Sequence, residues 1–269
     1  MILKVLMALL PSLLMALPTV PIIESDLPER KDYRELVTSI VALENQIQKS
    51  VEHAMRSQIP GYVRPTYYIT NEIDEKTGMK SIKADRRQKW ISGRPIPTER
   101  PLDFCLNASH KGFFRVQLEN GLVGFTKDGR FRIDYLQRLV TVAGNFPVLG
   151  KNGIISVGPV DSEEDITVTR TGVLYNKTKK LDQLDIAVFK NFLDLDALTS
   201  INGVIFLLNW EVPFDENPES YAVLQYNIEQ SNTFSSFDSW FEKGSFEGIA
   251  NVYYKMIDSD RRMIEAAAP

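Results

Sequence analysis

The 269-residue chain has one cysteine, Cys105, so no internal disulfide can staple it. It has two histidines, His53 and His110, too few for a zinc site built from several imidazoles. No G-x-S-x-G, G-x-G-x-x-G or G-x-x-x-x-G-K occurs, which removes the nucleophile-elbow and nucleotide-cradle chemistries. Excess positive charge is also missing. Lys and Arg total 31 against 35 Asp and Glu, a net charge of -4 with both signs mixed along the chain, so nucleic acid is not an expected partner. The acidic run Asp161, Glu163, Glu164, Asp165 lacks the alternate-position ligands and glycine turn of a calcium loop and reads as a solvated surface. Cys105 has no His and Asn arranged around it as in a thiol protease and reads as a small buried apolar residue. No catalytic residue, metal, cofactor or small-molecule substrate is therefore expected. What is present, 43% hydrophobic and 10% aromatic residues, is the composition of a folded globular chain with one large or two small domains.

The chain opens with a signal-like segment, residues 1–25. Lys4 precedes an apolar stretch from Val5 to Leu17, followed by Pro18 and Pro21, and the first acid is Glu24. The stretch is short for a bilayer span and Pro11 interrupts it, so a secretory leader is favoured over an anchor. Within residues 26–65, Leu36, Ile40, Leu43 and Ile47 recur at steps of four and three, predicting an amphipathic helix over 33–58. Pro60 and Gly61 end it. The seam serves either a partner helix or the chain's own domain, and the pattern alone leaves both open.

From residue 66 to 225 the pattern becomes short alternating or apolar runs broken by turn dipeptides. Asn120-Gly121 and Asp128-Gly129 each predict a tight hairpin in which both central residues take positive φ. Residues 78–100, basic and proline-containing, read as a surface excursion. In the C-terminal helical segment, 226–269, Ile249, Val252 and Met256 share one helical face, with Met263 further along. The fold class is thus α+β: a central antiparallel β domain flanked by N- and C-terminal helices that pair or pack on neighbouring subunits.

The middle of the chain carries more specific motifs. Gly112-Phe113-Phe114-Arg115-Val116, Thr126-Lys127-Asp128-Gly129-Arg130-Phe131, Leu139-Val140-Thr141 and Asn145-Phe146-Pro147-Val148-Leu149-Gly150 follow one another at compatible spacings. Together they closely resemble the bacterial flagellar rod and hook family, whose signature runs G-F-F-x-V, T-R-D-G-x-F, L-V-T and G-x-P-V-L-G. Pro60-Gly61-Tyr62 sits where that family has P-G-[FY]. Gln225 to Asn232, with Ser231-Asn232 at its end, is similar to the family's Q-G-x-L-E-x-S-N.

The resemblance implies a structural subunit of the flagellar basal-body rod, exported to the periplasm. It implies self-association into a helical assembly with other rod and hook subunits through the helix seams. It also implies departures. Val51 to Arg56 replaces the asparagine-rich end of the family's N-terminal helix, and about a dozen extra residues separate Asn232 from Met256. A leader adds a further departure, since rod proteins normally leave through the flagellum's own channel. The alternative expectation is a periplasmic flagellum-associated scaffold built on a rod-like β domain.

Overall fold

A computed structural model describes residues 31–232 apart from 57, 74, 77–79 and 216, together with helical stretches between 243 and 262. The expected leader and Met263 lie outside the described residues. Helix α1, Lys31–Arg56, follows the predicted period closely and stops where expected. Ile59 N–H donates to the Arg56 carbonyl, and Gly61 takes φ +67°, a left-handed turn that an L side chain resists.

Among the described residues eighteen strands follow in chain order: β1 (Pro65–Ile73), β2 (Lys80–Gln88), β3 (Pro95–Pro97), β4 (Phe104–Asn107), β5 (Gly112–Gln117), β6 (Val123–Thr126), β7 (Phe131–Ile133), β8 (Leu139–Thr141) and β9 (Leu149–Gly150). Then come β10 (Gly153–Ile154), β11 (Ile166–Val168), β12 (Val173–Asn176), β13 (Lys179–Gln183), β14 (Ile186–Val188), β15 (Leu198–Ser200), β16 (Ile205–Leu208), β17 (Ala222–Gln225) and β18 (Asn227–Glu229). Every ladder among them is antiparallel. The largest sheet has the order β14-β5-β6-β16-β15.

Strand β5 shows why the middle is so apolar. Successive side chains point to opposite faces, so Phe113 and Phe114 serve two different cores, and both are fully buried. Phe114 and Val116 pack with Phe104, Phe131 and Leu139 beneath one face. Phe113 packs with Trp90, Phe125, Phe189 and Phe206 on the other. Edge-to-face ring pairs run through both clusters, including Phe114 on Phe131 and Phe113 on Phe189.

Three sequence expectations are corrected here. The Asn120-Gly121 hairpin exists, joining β5 to β6, but only Gly121 has positive φ. A Leu118-to-Gly121 turn with the glycine last replaces the two-residue primed turn. Asp128-Gly129 is not a hairpin turn, because β6 pairs with β5 and β16 while β7 pairs with β8. It is a buried crossing between ladders, in which the Gly129 carbonyl accepts from Phe104 N–H. A Cβ there would sit 1.7 Å from the Phe104 oxygen, so glycine is required by close approach. The basic stretch from residue 80 onward is regular structure rather than a loose excursion, since β2 pairs with β1 over nine registered positions. Strand β18, just past residue 225, pairs with β3.

Candidate assembly surface

Three stretches far apart in sequence meet where α1 enters the β domain. Gly61 N–H donates to the Glu229 carbonyl at 2.8 Å, and Asn232 N–H donates to the Tyr62 carbonyl. The Asn232 side chain accepts from Arg64 N–H at 2.7 Å and donates to the Lys89 carbonyl at 2.6 Å. Ser231 Oγ donates to the Tyr62 carbonyl. Gly61 lies directly against the third stretch, since a Cβ on it would fall 2.3 Å from the Asp128 nitrogen. Asp128 in turn accepts twice from the Arg130 guanidinium, at 2.9 and 2.7 Å. Pro60-Gly61-Tyr62, Thr126 to Gly129 and Glu229 to Asn232 therefore form one junction. Gly112 starts β5, Gly150 ends β9 and Phe131 opens β7, each within the β core beyond it.

The junction encloses an ion pair that sequence reasoning missed. Lys127 Nζ lies 3.6 Å from Glu229 Oε1, with the side chains 2% and 3% exposed. Lys127 also donates to Ser92 Oγ at 2.9 Å and sits over the Phe113 ring. Gly93 N–H donates to Glu229 Oε1 at 3.0 Å. Burial pushes the Glu229 carboxyl above its ordinary range more strongly than Lys127 pulls it back. Both residues stand inside quoted motifs, yet nothing in a linear pattern marks a Lys and a Glu a hundred residues apart as a buried pair.

Above the junction the helical elements pack on each other. Ile40, Leu43 and Ile47 are buried, and Leu43 and Ile47 cluster with Ala250 and Tyr254 of the C-terminal segment. Tyr254 donates its hydroxyl to Glu44; burial and the nearby carboxylate push that phenol up to about 12. Leu36 lies in α1 with its side chain outside the described residues. Within this chain it is Ala250 and Tyr254, rather than Ile249, Val252 and Met256, that meet α1 from the C-terminal side. Ile249, Val252 and Met256 are 36%, 56% and 49% exposed, because the stripe facing α1 runs through positions 250 and 254, about 100° round the helix from 249. Val252 and Met256 instead line an open depression with Lys255 and Ser259. The α1 seam also buries Ser39, Gln46, Ser50 and His53, the last hydrogen-bonded through Nδ1 to the Tyr62 hydroxyl. Helix and junction are thereby joined.

Among the described residues no group of three His, Cys, Asp or Glu is placed to hold a metal. Cys105 is buried, and desolvation pushes its thiol up to about 12, which removes the thiolate a nucleophile would need. His110 is held at the surface as acceptor for Ser92 N–H. Lys177 bridges Asp161 and Asp165 of the acidic run.

Comparison with known proteins fits this geometry. Residues 109–176, from the loop before β5 to the end of β12, match the family described as "Flagellar hook protein FlgE/F/G D1 domain". The "Flagellar basal-body rod protein FlgG" of Buchnera aphidicola subsp. Acyrthosiphon pisum (strain APS) is 30% identical over 128 residues, 45% of each chain. Its counterpart from subsp. Baizongia pistaciae (strain Bp) is 31% identical over 134 residues, 40% of this chain and 50% of that one. The chain thus spans about half the length of the curated relatives it matches. The similarity thus lies in the central β domain, which resembles the D1 domain of flagellar hook and rod proteins.

Proposed function

We propose that the chain is a structural subunit of the bacterial flagellar basal-body rod, working by self-association rather than catalysis. The observation that carries this reading is the exposed apolar stripe Ile249, Val252 and Met256, standing beside the helix packing of Leu43, Ile47, Ala250 and Tyr254. A helical pair that still exposes such a stripe, fixed by a rigid junction to a β domain of the rod and hook family, suits a subunit that finishes its burial against neighbours. Repetition of a head-to-tail contact builds a tube or helical filament. Other axial subunits of the rod and hook would supply the adjoining surfaces. The subunit would be exported, with the basal body in the periplasm as its place.

The leader-like residues 1–25 favour one second reading, a periplasmic accessory that shares the β domain. Intact-mass analysis of protein from purified basal bodies tests both. A full-length species there is expected for an axial subunit using the flagellum's own route. Loss of about 20 residues, the size of a signal peptide, favours the accessory. Absence from basal bodies overturns both.

A further inference from the structure

The C-terminal segment carries an open depression of about 320 Å³ lined by Val252, Lys255, Met256 and Ser259. Its place is set by the helix packing. At 1.5 Å per residue, about 18 Å of helix separates Glu44 from the end of α1 at Arg56, and about 17 Å separates Tyr254, which hydrogen-bonds Glu44, from Lys243. Equal spans run the two elements antiparallel out of the junction, where α1 enters the β domain and Asn232 leaves it. Past Tyr254 the C-terminal segment therefore heads for the start of α1 at Lys31. Since Ala250 and Tyr254 face α1, a turn of about 100° per residue puts Val252 and Met256 on the opposite side. Ser259 lies about 7 Å beyond Tyr254, and Lys31 about 20 Å beyond Glu44.

Residues 1–30, outside the described part of the molecule, join it at Lys31. They contain the run from Val5 to Leu17, which has no charged residue. Pro18, Pro21 and Pro28 oppose carrying α1 straight back through that run. The end of the depression nearest Lys31 is about 12 Å away along the helix axis and about one helix diameter, 10 Å, to the side. Residues 18–30 reach up to about 43 Å, so the run can be laid along Ile249, Val252 and Met256 without disturbing α1. The charges at the depression agree: Lys255 is exposed there, and the first acids after the run are Glu24 and Asp26. A segment tethered this closely has an effective concentration in the millimolar range, which a free second copy in dilute solution does not match.

We infer that the chain's own apolar run, Val5 to Leu17, folds back over the Val252 and Met256 depression and holds the assembly stripe closed until the run is removed or displaced. Docking of this kind opens well below global unfolding, so it leaves the unfolding midpoint untouched. The inference rests on the reading of that stripe as an assembly face, and its test separates the two. Full-length protein carrying a benzophenone side chain in place of Met256 is irradiated in dilute solution, and the product is mapped by peptide mass. The expected product is an adduct within one chain, joining position 256 to the peptide of residues 5–17. Leu9→Asp combined with Leu13→Asp is expected to abolish that adduct and to tighten self-association, measured by sedimentation, roughly ten-fold, as for a face closed about nine-tenths of the time. An adduct that forms only between chains overturns the fold-back and supports the subunit reading. No adduct to residues 5–17, or a double variant that associates no more tightly than the natural chain, also overturns the fold-back, while recovery from basal bodies decides the subunit reading independently.

Discussion

The β domain and the helical end of this molecule bury their apolar residues in opposite ways. In the β domain two clusters flank one sheet, and the aromatic residues of β5, β6 and β16 are enclosed by the chain itself. At the helical end the cluster reduces to Leu43, Ile47 and Ala250 with Tyr254 against it, and comparably apolar residues stand exposed one stripe away. The first region is self-sufficient. Among the described residues the second packs only this small cluster beside an exposed apolar stripe, and the proposed assembly role rests on that difference.

The comparison breaks most visibly at the β core. Phe113→Ala is expected to cost about 3–5 kcal/mol of global stability, read as a lowered midpoint in urea unfolding at unchanged slope. Lys127→Met is expected to cost a similar 3–5 kcal/mol, because it leaves the Glu229 carboxyl, already disfavoured as an anion by burial, without its neighbouring cation. The double variant Lys127→Met with Glu229→Gln should recover most of that loss. A double variant as unstable as the sum of its singles would mean that the pair is not coupled.

Leu43→Ala sharpens the contrast, since the removed side chain is as buried as Phe113 but belongs to the small cluster. Its expected cost of about 2–3 kcal/mol should appear as local opening. Hydrogen exchange would accelerate along α1 while the amides of β5 and β6 keep their protection. Equal acceleration in both would show a single cooperative unit and erase the distinction between the regions.

Legibility in the sequence follows the same division. Helix α1, the alternation of β5 and the Asn120-Gly121 connection are local facts, set by residues within a few positions of each other, and periodicity finds them. Asp128-Gly129 misleads because its dipeptide is common to turns and to tight crossings, and only the Phe104 carbonyl pressed against Gly129 distinguishes the two. The basic stretch 80–88 hides its pairing because charged strands carry no apolar alternation. At the candidate surface, Ile40, Leu43 and Ile47 are where the helical period places them, whereas the exposed side of the C-terminal segment depends on which stripe α1 takes. A one-residue offset, 250 rather than 249, decides that by about 100°, and it is set by tertiary packing.

The Glu229 carboxyl gives a gentler probe of the junction. Its folded pKa is raised above the unfolded value, chiefly by burial, so the native state holds a proton that the unfolded chain releases near pH 4.3. Its contribution is then fully present below that pH and declines as pH rises toward the folded value, since the unfolded state binds fewer protons over that window. Unfolding measured from about pH 4 upward is expected to show this downward contribution in the natural chain. It should vanish in the double variant Lys127→Met with Glu229→Gln, and a slope that persists there would assign the effect to another group.

The smallest expected effect on the folded monomer tests the division most directly. Val252→Asp and Met256→Asp change side chains already in water, so monomer stability should move by no more than about 0.5 kcal/mol. Self-association measured by sedimentation should nevertheless fall sharply, because each carboxylate would have to be buried unpaired against a neighbouring subunit. Loss of association at constant stability separates an assembly face from a core face, since a core substitution changes both together. If both variants associate as the natural chain does, the outward stripe is not the contact, and the burial deficit of the helical end must be met by another surface.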